Sequence, residues 1–396
     1  MCNAALASGA TILSSHKHFF TPHGVSSVVI IQESNLCIHT WPEFGYAAAD
    51  FFTCGDTVNP WKSFEFLKEF LKAKKFNCME LQRGSTDLIN NPQLLQDTVT
   101  HSKLDGDQSI VLTEEELHTD TKFCIKTEGP AMVNKMSKFQ KVVIAKNKWW
   151  GNMLWLDDVV NVTDRDEFIY HEMIVHVPMM ICPSPKRVLI IGGGDGGSAR
   201  EVLKHSNLEK FVMVDIDEDV VNGCAKYMPS LNDGAFEDPR LELIIGDGIE
   251  YVHNAADASF DVIIVDSTDP IPGSCGEILF STDFYTQVMR ILSPNGVVST
   301  QSIMPMRYDA DIYKRSIKAI QSVFADNMYI YLIPTDSYEG QTSLSLCFKG
   351  ESHPNRINKE RVKAFEAEHK LKYYNYNIHN ASFCLPNYLK ETLGVS

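Results

Sequence analysis

The stretch Lys186–Gly197 constrains the fold more than any other part of this 396-residue chain. It reads KRVLIIGGGDGG, a continuous apolar run and then a glycine turn that satisfies G-x-G-x-x-G at Gly192, Gly194 and Gly197; SAREVLKHS follows with helical character. A strand too apolar to have a solvated side, entering a glycine turn and a helix, is the first unit of a parallel sheet covered on both faces. The C-terminal half repeats this logic. KFVMVDID, LELIIGDG, FDVIIVDS and NGVVSTQS read as further buried strands, and YIYLIPT and SLSLCFK complete the set. Strands alternating with helices predict an α/β domain whose ligands lie at the carboxyl ends of the strands.

Upstream the pattern differs. Residues 1–83 hold a β-rich run, VSSVVIIQESNLCIHT, then YAAADFFTCG, then a helical stretch, PWKSFEFLKEFLKAKK, with Pro60 at its start and Phe64, Leu67, Phe70 and Leu71 at helical spacing. Residues 84–120 are polar, offer few core residues and read as a linker. Residues 121–177 carry short strand-like runs, KVVIAKN and NMLWLDDVVNVT, which predict antiparallel hairpins leading into a helix from about Asp166. Residues 178–396 are then the α/β domain. At about 150 residues per domain, the chain has room for two or three.

The charge balance, 36 Lys+Arg against 51 Asp+Glu for a net −15, counts against nucleic acid or an anionic membrane as partner, since both reward basic patches. It suits a cationic small substrate, although acidity of this size is common on soluble proteins. No apolar run has membrane-spanning length, and the N-terminus lacks the basic and long apolar regions of a secretory signal. Ten cysteines are scattered with no C-x-x-C pair, which fits neither a zinc ribbon nor a dense disulfide framework and places the chain in the reducing cytoplasm. Trp149, Trp150 and Trp155 read as core or interface residues at strand spacing, not as a base-stacking platform.

The glycine turn contains an acid, Asp195. A dinucleotide would put its pyrophosphate at this helix N-terminus, where a carboxylate repels it. An adenosyl sulfonium, with a sulfonium, an amine and no phosphate, fits better. Asp215 ends the next strand, where an acid commonly binds ribose hydroxyls, and Asp247 in IIGDG is placed to accept from an adenine amino group. Asp266 and Asp269 follow the fourth strand in DSTDP, placed to bind an ammonium group and accept its proton. The alternative is that Asp266 caps the following helix and Asp269 is a solvated turn acid.

VLIIGGGDGGSAREVLKH, VDIDEDVV, GDG and FDVIIVDSTDP together resemble the aminopropyltransferases of polyamine synthesis, the spermidine synthase family. The resemblance extends through FQKVVIAKNKWWGNMLWLDDVVNVTDRDEFIYHEM and YYNYNIHNASFCLPNYLKETLG, over roughly residues 121–396. It implies a Rossmann-like, methyltransferase-type, mostly parallel sheet preceded by a small β-hairpin domain. It also implies roles. Gln140, Asp215, Asp247 and Gly248 would hold the adenosyl part of decarboxylated S-adenosylmethionine, and Asp195 its aminopropyl amine. Asp266 would accept the proton, aided by Tyr170, while His171, Asp269 and Gln301 would position the polyamine. A neutral amine would attack the aminopropyl carbon next to the sulfonium, and methylthioadenosine would leave. An amine near pH 7 is mostly protonated, so the site must remove a proton first; the sulfonium is already a good leaving group, so no metal is implied.

Putrescine is the implied acceptor, with spermidine as product. Three segments depart from the family on the acceptor side. An acid and a Trp usually found after Gln301 are absent from Gln301-Ser302-Ile303-Met304-Pro305-Met306; IPTYPSG appears as Ile333-Pro334-Thr335-Asp336-Ser337-Tyr338-Glu339-Gly340; and PIPGSCGEILF is longer than usual, with Pro272 ahead of Gly273. Agmatine, cadaverine or spermidine are the alternative acceptors, and a methyltransferase on the same fold is the rival activity.

Residues 16–55, HKHFFTPHGVSSVVIIQESNLCIHTWPEFGYAAADFFTCG, resemble the prokaryotic-type S-adenosylmethionine decarboxylases, which implies an N-terminal α+β domain. That family is pyruvoyl-dependent. The implied cleavage is at Glu33–Ser34: Ser34 Oγ attacks the Glu33 carbonyl, an ester forms, and elimination leaves a pyruvoyl group that serves as an electron sink. By position His39 would assist the self-processing and Cys54 would donate the catalytic proton. Asn35 stands where a histidine is usual and the chain starts late relative to the family, so an inactive, structural domain is the alternative. Both families form homo-oligomers, which implies a homodimer or homotetramer.

Overall fold

The computed structural model describes residues 1–54, 58–81, 99–104, 110–116, 121–269, 276–302, 305, 310–338 and 340–393. They form two compact units, Met1–Asp107 and Gln108–Ser396.

In the first unit β1 (Ile12–Phe19), β2 (Val25–Ile31), β3 (Ser34–Trp41) and β4 (Tyr46–Thr53) make an antiparallel meander in chain order. Alternation sorts its faces. Val29 and Ile31 of β2 and Leu36 and Ile38 of β3 are buried with Ala4 and Ala5 of α1 (Cys2–Ala7) and Leu67 of α2 (Pro60–Phe70), whereas Ile30, His39 and Trp41 on the other face are exposed. The expected helix is α2. Asn59 caps it by accepting from the Trp61 amide, and Pro60 fills the first turn. β1 has no counterpart in the sequence reading, because Ser, His and Lys occupy it and every residue after Ile12 is exposed.

β5 (Asn77–Leu81) pairs with β6 (Val99–Leu104), and in the second unit β7 (Val111–Glu116) pairs with β8 (Thr121–Lys126). Strands β6 and β7 lie inside the stretch read as a linker; backbone pairing, not an apolar pattern, makes them strands. Residues 84–98, 105–109 and 117–120 of that stretch lie outside the described residues.

The second unit continues with β9 (Val133–Met136), β10 (Lys141–Asn147), β11 (Gly151–Leu156) and β12 (Val159–Thr163), an antiparallel sheet ordered β12-β11-β10-β9. α3 (Glu167–Ile181) follows Asp166, as the pattern predicts, and runs straight through the 177/178 boundary drawn from the sequence. It is apolar nearly all round and therefore buried nearly all round. Its polar residues are partnered. Glu172 accepts from the backbone amides of Lys372, Tyr373 and Tyr374 at 2.9, 2.8 and 2.7 Å and so holds the C-terminal segment.

Seven strands form the main sheet: β13 (Arg187–Gly192), β14 (Lys210–Asp215), β15 (Leu241–Ile245), β16 (Phe260–Asp266), β17 (Leu292–Gln301), β18 (Met328–Thr335) and β19 (Gly340–Phe348). Their order is β15-β14-β13-β16-β17-β19-β18, parallel through the first five and antiparallel at β19. Val188, Ile190, Val262 and Ile264 pack on one face and Leu189, Ile191, Ile263 and Val265 on the other, all at 2% exposure or less. Burial on both faces explains why these strands show no polar alternation. Strand order reverses between β13 and β16, which puts the topological switch where Gly192 and Asp266 stand in register.

Among the described residues no helix is long and apolar enough to cross a membrane, and the nine described cysteines are free. Trp155 is buried and Trp150 half-buried, but Trp149 is exposed with the Arg165 guanidinium 3.6 Å from its ring centroid.

Candidate active site

The switch opens into a cleft of about 1450 Å3, counting the part open to solvent. Gln140, Tyr170, His171, Asp195, Asp215, Asp247, Gly248, Asp266, Asp269 and Gln301, read from separate motifs, all line it. The glycine turn makes the convergence possible. Gly192 has φ +83°, and a Cβ there would lie 2.1 Å from the Asp266 carbonyl oxygen; the Gly193 amide donates to that same oxygen at 2.8 Å. α4 (Gly197–Leu203) begins immediately after the turn, and a Cβ on Gly197 would lie 2.3–2.6 Å from the His171 ring.

Asp266 is enclosed. The Tyr170 hydroxyl donates to its Oδ1 at 2.7 Å and the Ser198 hydroxyl to its Oδ2 at 2.6 Å. Burial, and then the neighbouring Asp195 charge, raise its pKa above the usual carboxylate range, against the pull of His171 and the two hydroxyls. Tyr170 is driven well above the ordinary phenol value, first by burial and then by Asp266, and stays a donor. Among the described residues Asp266 caps no helix; its partners are these two hydroxyls.

His171 holds a different position from the one its resemblance implies. Its Nδ1 lies 2.7 Å from Glu167 Oε2 and its Nε2 3.3 Å from Asp195 Oδ1. Burial disfavours the imidazolium, yet these two carboxylates outweigh it and push the pKa up to about 10. A charged ring with both nitrogens engaged by carboxylates has no acceptor atom to offer an ammonium group. Arg200 completes the clamp, bonding Glu167 at 2.8 and 3.1 Å. Asp195 also accepts from the Gly197 amide at 2.7 Å.

Of the residues expected to hold the donor, Asp247 caps the helix Gly248–Asn254 through the Ile249 amide, and Gln140 donates to Asp217 at 3.0 Å. Asp215, at the end of β14, accepts from the Asp217 amide at 2.8 Å, but burial pushes its pKa from 3.8 up to about 6. A raised carboxylate pKa means that the folded chain holds the proton more tightly than the unfolded one. Stability then falls as pH rises from about 4 to about 6 and levels off above. We expect Asp215→Asn to stabilise the empty protein at pH 8 by about 1–3 kcal/mol, given 1.36 kcal/mol per unit, and to raise the KM for the adenosyl donor. Denaturant unfolding of the variant checks this; a loss of stability would refute it.

Glu167, Ser198, Arg200, Asp217 and Thr342 were not found by sequence reasoning, and Tyr338 only as part of an acceptor-side segment. Glu167 alone carried a signal, four residues before His171 on one helix face. Ile303, Met304, Met306, Glu339 and residues 270–275 of the acceptor-side departures lie outside the described residues.

In the first unit, Gln32 and Glu33 form the turn of the β2–β3 hairpin, with Ile31 opposite Ser34. Ser34 has φ +143°, where a side chain is strained, at a typical cost of about 1–3 kcal/mol. The Glu33 carbonyl accepts from the Cys54 amide at 2.9 Å, so Cys54 stands beside the Glu33–Ser34 bond. His39 does not. It lies five residues along a regular strand, about 16 Å away at 3.3 Å per residue and on the opposite face, with its Nδ1 2.6 Å from Ser26 Oγ.

The parallel sheet with a ligand cleft at its switch point makes the second unit a Rossmann-like α/β domain, and a carboxylate in the phosphate position of the turn, with a buried carboxylate beside it, sets it apart from the dinucleotide-binding members of that fold. The spermine/spermidine synthase domain family matches residues 167–361, and the S-adenosylmethionine decarboxylase family matches residues 1–84. Over 259 residues the chain is 42% identical to a polyamine aminopropyltransferase of Thermotoga petrophila, covering 65% of this chain and 86% of the relative. A polyamine aminopropyltransferase of a Thermoanaerobacter species is 40% identical over 271 residues, 68% of this chain and 94% of the relative. The crystal structure of spermidine synthase from Thermotoga maritima is similar with a TM-score of 0.67 at 37% identity, over 72% of this chain and 95% of that one. A spermidine synthase in complex with the transition-state analogue AdoDATO gives 0.68 with the same identity and coverage. The chain belongs to the spermine/spermidine synthase family and is an aminopropyltransferase of polyamine biosynthesis, preceded by a segment similar to S-adenosylmethionine decarboxylases.

Proposed function

We propose that the second unit transfers the aminopropyl group of decarboxylated S-adenosylmethionine to putrescine, giving spermidine and methylthioadenosine. The observation that carries this reading is Asp266, buried, raised in pKa and next to the glycine turn that bears Asp195. Asp195 binds the donor's aminopropyl ammonium, Asp215 the ribose hydroxyls and Asp247 the adenine amino group, with Gln140 and Gly248 lining the same end. The acceptor enters as an ammonium, and Asp266 takes one of its protons while the Tyr170 and Ser198 hydroxyls hold the carboxylate in place. The nitrogen lone pair then forms a bond to the aminopropyl carbon as the carbon–sulfur bond breaks. The bonding pair returns to sulfur, which leaves as a neutral thioether, and the positive charge moves to the new secondary amine. The site has to lower the barrier mainly by orientation and by supplying the free base.

The test is a product assay with decarboxylated S-adenosylmethionine and putrescine, agmatine, cadaverine or spermidine. Methylthioadenosine should form fastest with putrescine. Methyl transfer from S-adenosylmethionine itself, without aminopropyl transfer, would overturn the reading.

A second activity is supported by the hairpin turn. Glu33, Ser34 and Cys54 fit a chain that cleaves itself at Glu33–Ser34, because the scissile carbonyl already accepts an amide and Ser34 is conformationally strained. His39, as placed in the uncleaved chain, does not fit a role in that step. A pyruvoyl group at residue 34 supplies an electron sink for decarboxylation, and S-adenosylmethionine as its substrate would provide the donor for the second unit. A cytosolic homodimer or homotetramer completes the reading, with free thiols supporting a reducing compartment.

A further inference from the structure

We infer that Asp217 is a positioning residue for the adenosyl donor: it fixes the Gln140 carboxamide so that the carbonyl oxygen, not the nitrogen, is presented to the cleft. This deepens the aminopropyltransferase reading and rests on it.

Asp217 lies between β14 and α5 (Glu218–Tyr227), two residues beyond Asp215. It is 2% exposed, and both of its oxygens are in use. Oδ1 accepts from the Asp219 amide at 3.1 Å and so caps α5. Oδ2 accepts from the Ser137 hydroxyl at 2.6 Å and from Gln140 Nε2 at 3.0 Å. The Asp217 amide donates to Asp215 Oδ1 at 2.8 Å. Ser137 and Gln140 are the two ends of the turn between β9 and β10. The Ser137 amide donates to the Gln140 carbonyl at 2.8 Å, and Ser137 Oγ accepts from the Phe139 and Gln140 amides at 3.0 and 3.1 Å. One buried carboxylate thus joins this turn of the small antiparallel sheet to the loop that carries Asp215. Beside it, Val142, Ile144 and Leu154 of the small sheet pack with Val220 and Cys224 of α5.

A carboxylate accepts hydrogen bonds, so Gln140 meets Asp217 with its amide nitrogen; a flip would set two oxygens against each other. Gln140 lines the cleft and Asp217 stands behind it, so the bond turns the nitrogen away from the ligand side and leaves Oε1 toward it. A ligand group that meets Gln140 must then be a hydrogen-bond donor. Asp215, tied to the same residue through the Asp217 amide, also accepts and lines the same cleft. The pair calls for a ligand with more than one donor there, as the hydroxyls of a ribose supply.

The test is an exchange of amide and acid on the full chain. Asp217→Asn keeps an oxygen for the Asp219 amide and turns its new amide toward residue 140, so Gln140 has to rotate and offers nitrogen to the donor. Gln140→Glu sets two carboxylates in contact. Each change alone should raise the Kd for methylthioadenosine, read by calorimetry, and the KM for decarboxylated S-adenosylmethionine by about tenfold or more. The acceptor KM, and kcat at saturating donor, should stay within about threefold. In the double variant the amide at 217 donates to the acid at 140, whose second oxygen is presented to the cleft. Its Kd and donor KM should return to within about threefold of wild type. A residue that only supports the fold predicts the opposite, a double variant at least as weak as either single one. That result overturns the inference, as does an unchanged donor KM in Asp217→Asn or an equal rise in acceptor KM. If wild type binds methylthioadenosine and transfers no aminopropyl group to any amine, the activity is refuted, while the exchange is still decided by the Kd values.

Discussion

Asp266→Asn lowers kcat for aminopropyl transfer by about 10²–10⁴-fold, the usual contribution of a positioned general base, and leaves the affinity for decarboxylated S-adenosylmethionine within about twofold. Asparagine preserves the shape. Its carbonyl oxygen accepts from one of the two hydroxyls that hold Asp266, and the other hydroxyl turns to accept from its amide, so the pocket stays closed around Tyr170 and Ser198. What disappears is the site for the acceptor's proton. The pH profile gives a second readout. Burial and Asp195 hold the Asp266 pKa above the usual carboxylate range, and below that value the group is protonated and cannot act as a base. The wild-type rate therefore rises with pH through this range, and the residual rate of the variant does not. His171, with its pKa near 10, stays charged throughout. Single-turnover rates and donor binding measured on both proteins check this; a variant within tenfold of wild type, with the acid limb intact, removes Asp266 from the role of base.

Ser34→Ala abolishes chain cleavage and, with it, any release of carbon dioxide from S-adenosylmethionine. Wild type should separate into residues 1–33 and 34–396, the larger piece having lost its amino group at residue 34. The Cys54 amide on the Glu33 carbonyl is a fixed donor for the oxyanion that forms when the hydroxyl attacks. Alanine at φ +143° is strained as serine is, so an uncleaved variant shows that the hydroxyl, not the strain, drives the reaction. Cys54→Ala tests the other half of the pair. The bond to the carbonyl comes from its backbone, so cleavage should survive while decarboxylation falls. Intact mass spectrometry and carbon dioxide release read the two outcomes. An unbroken 396-residue wild type after long incubation would leave the first unit without this activity.

Much of the α/β domain was legible because its signals are contiguous. A buried strand announces itself by an unbroken apolar run, and the acids that follow β13, β14, β15 and β16 stand at strand ends, where the fold collects them. Local spacing also found α2 and the start of α3. Three kinds of feature were hidden. β1 is an edge strand with an almost wholly exposed burial pattern, so it has no apolar period to detect. The role of His171 depends on which carboxylates reach its two nitrogens, and one of them, Asp195, is brought by a different element. Thr342 meets Gln301 only through the register of two antiparallel strands, 41 positions apart (342 − 301). Ser34 and His39 show the converse: the family resemblance implied that they act together, and in the regular strand that carries both, positions five apart fall on opposite faces.

The contact between Gly197 and the His171 ring ties the history of two distant parts of the chain together. Any side chain at 197 would occupy the space of the imidazole, so a lineage cannot acquire one there while keeping the histidine. A smaller residue at 171 must come first, and until 197 fills, it leaves Glu167 and Asp195 facing each other across the vacated space. That intermediate is the unfavourable one: Glu167 keeps the Arg200 guanidinium, but Asp195 loses the cation beside it. Positions 171 and 197 should therefore change together or not at all.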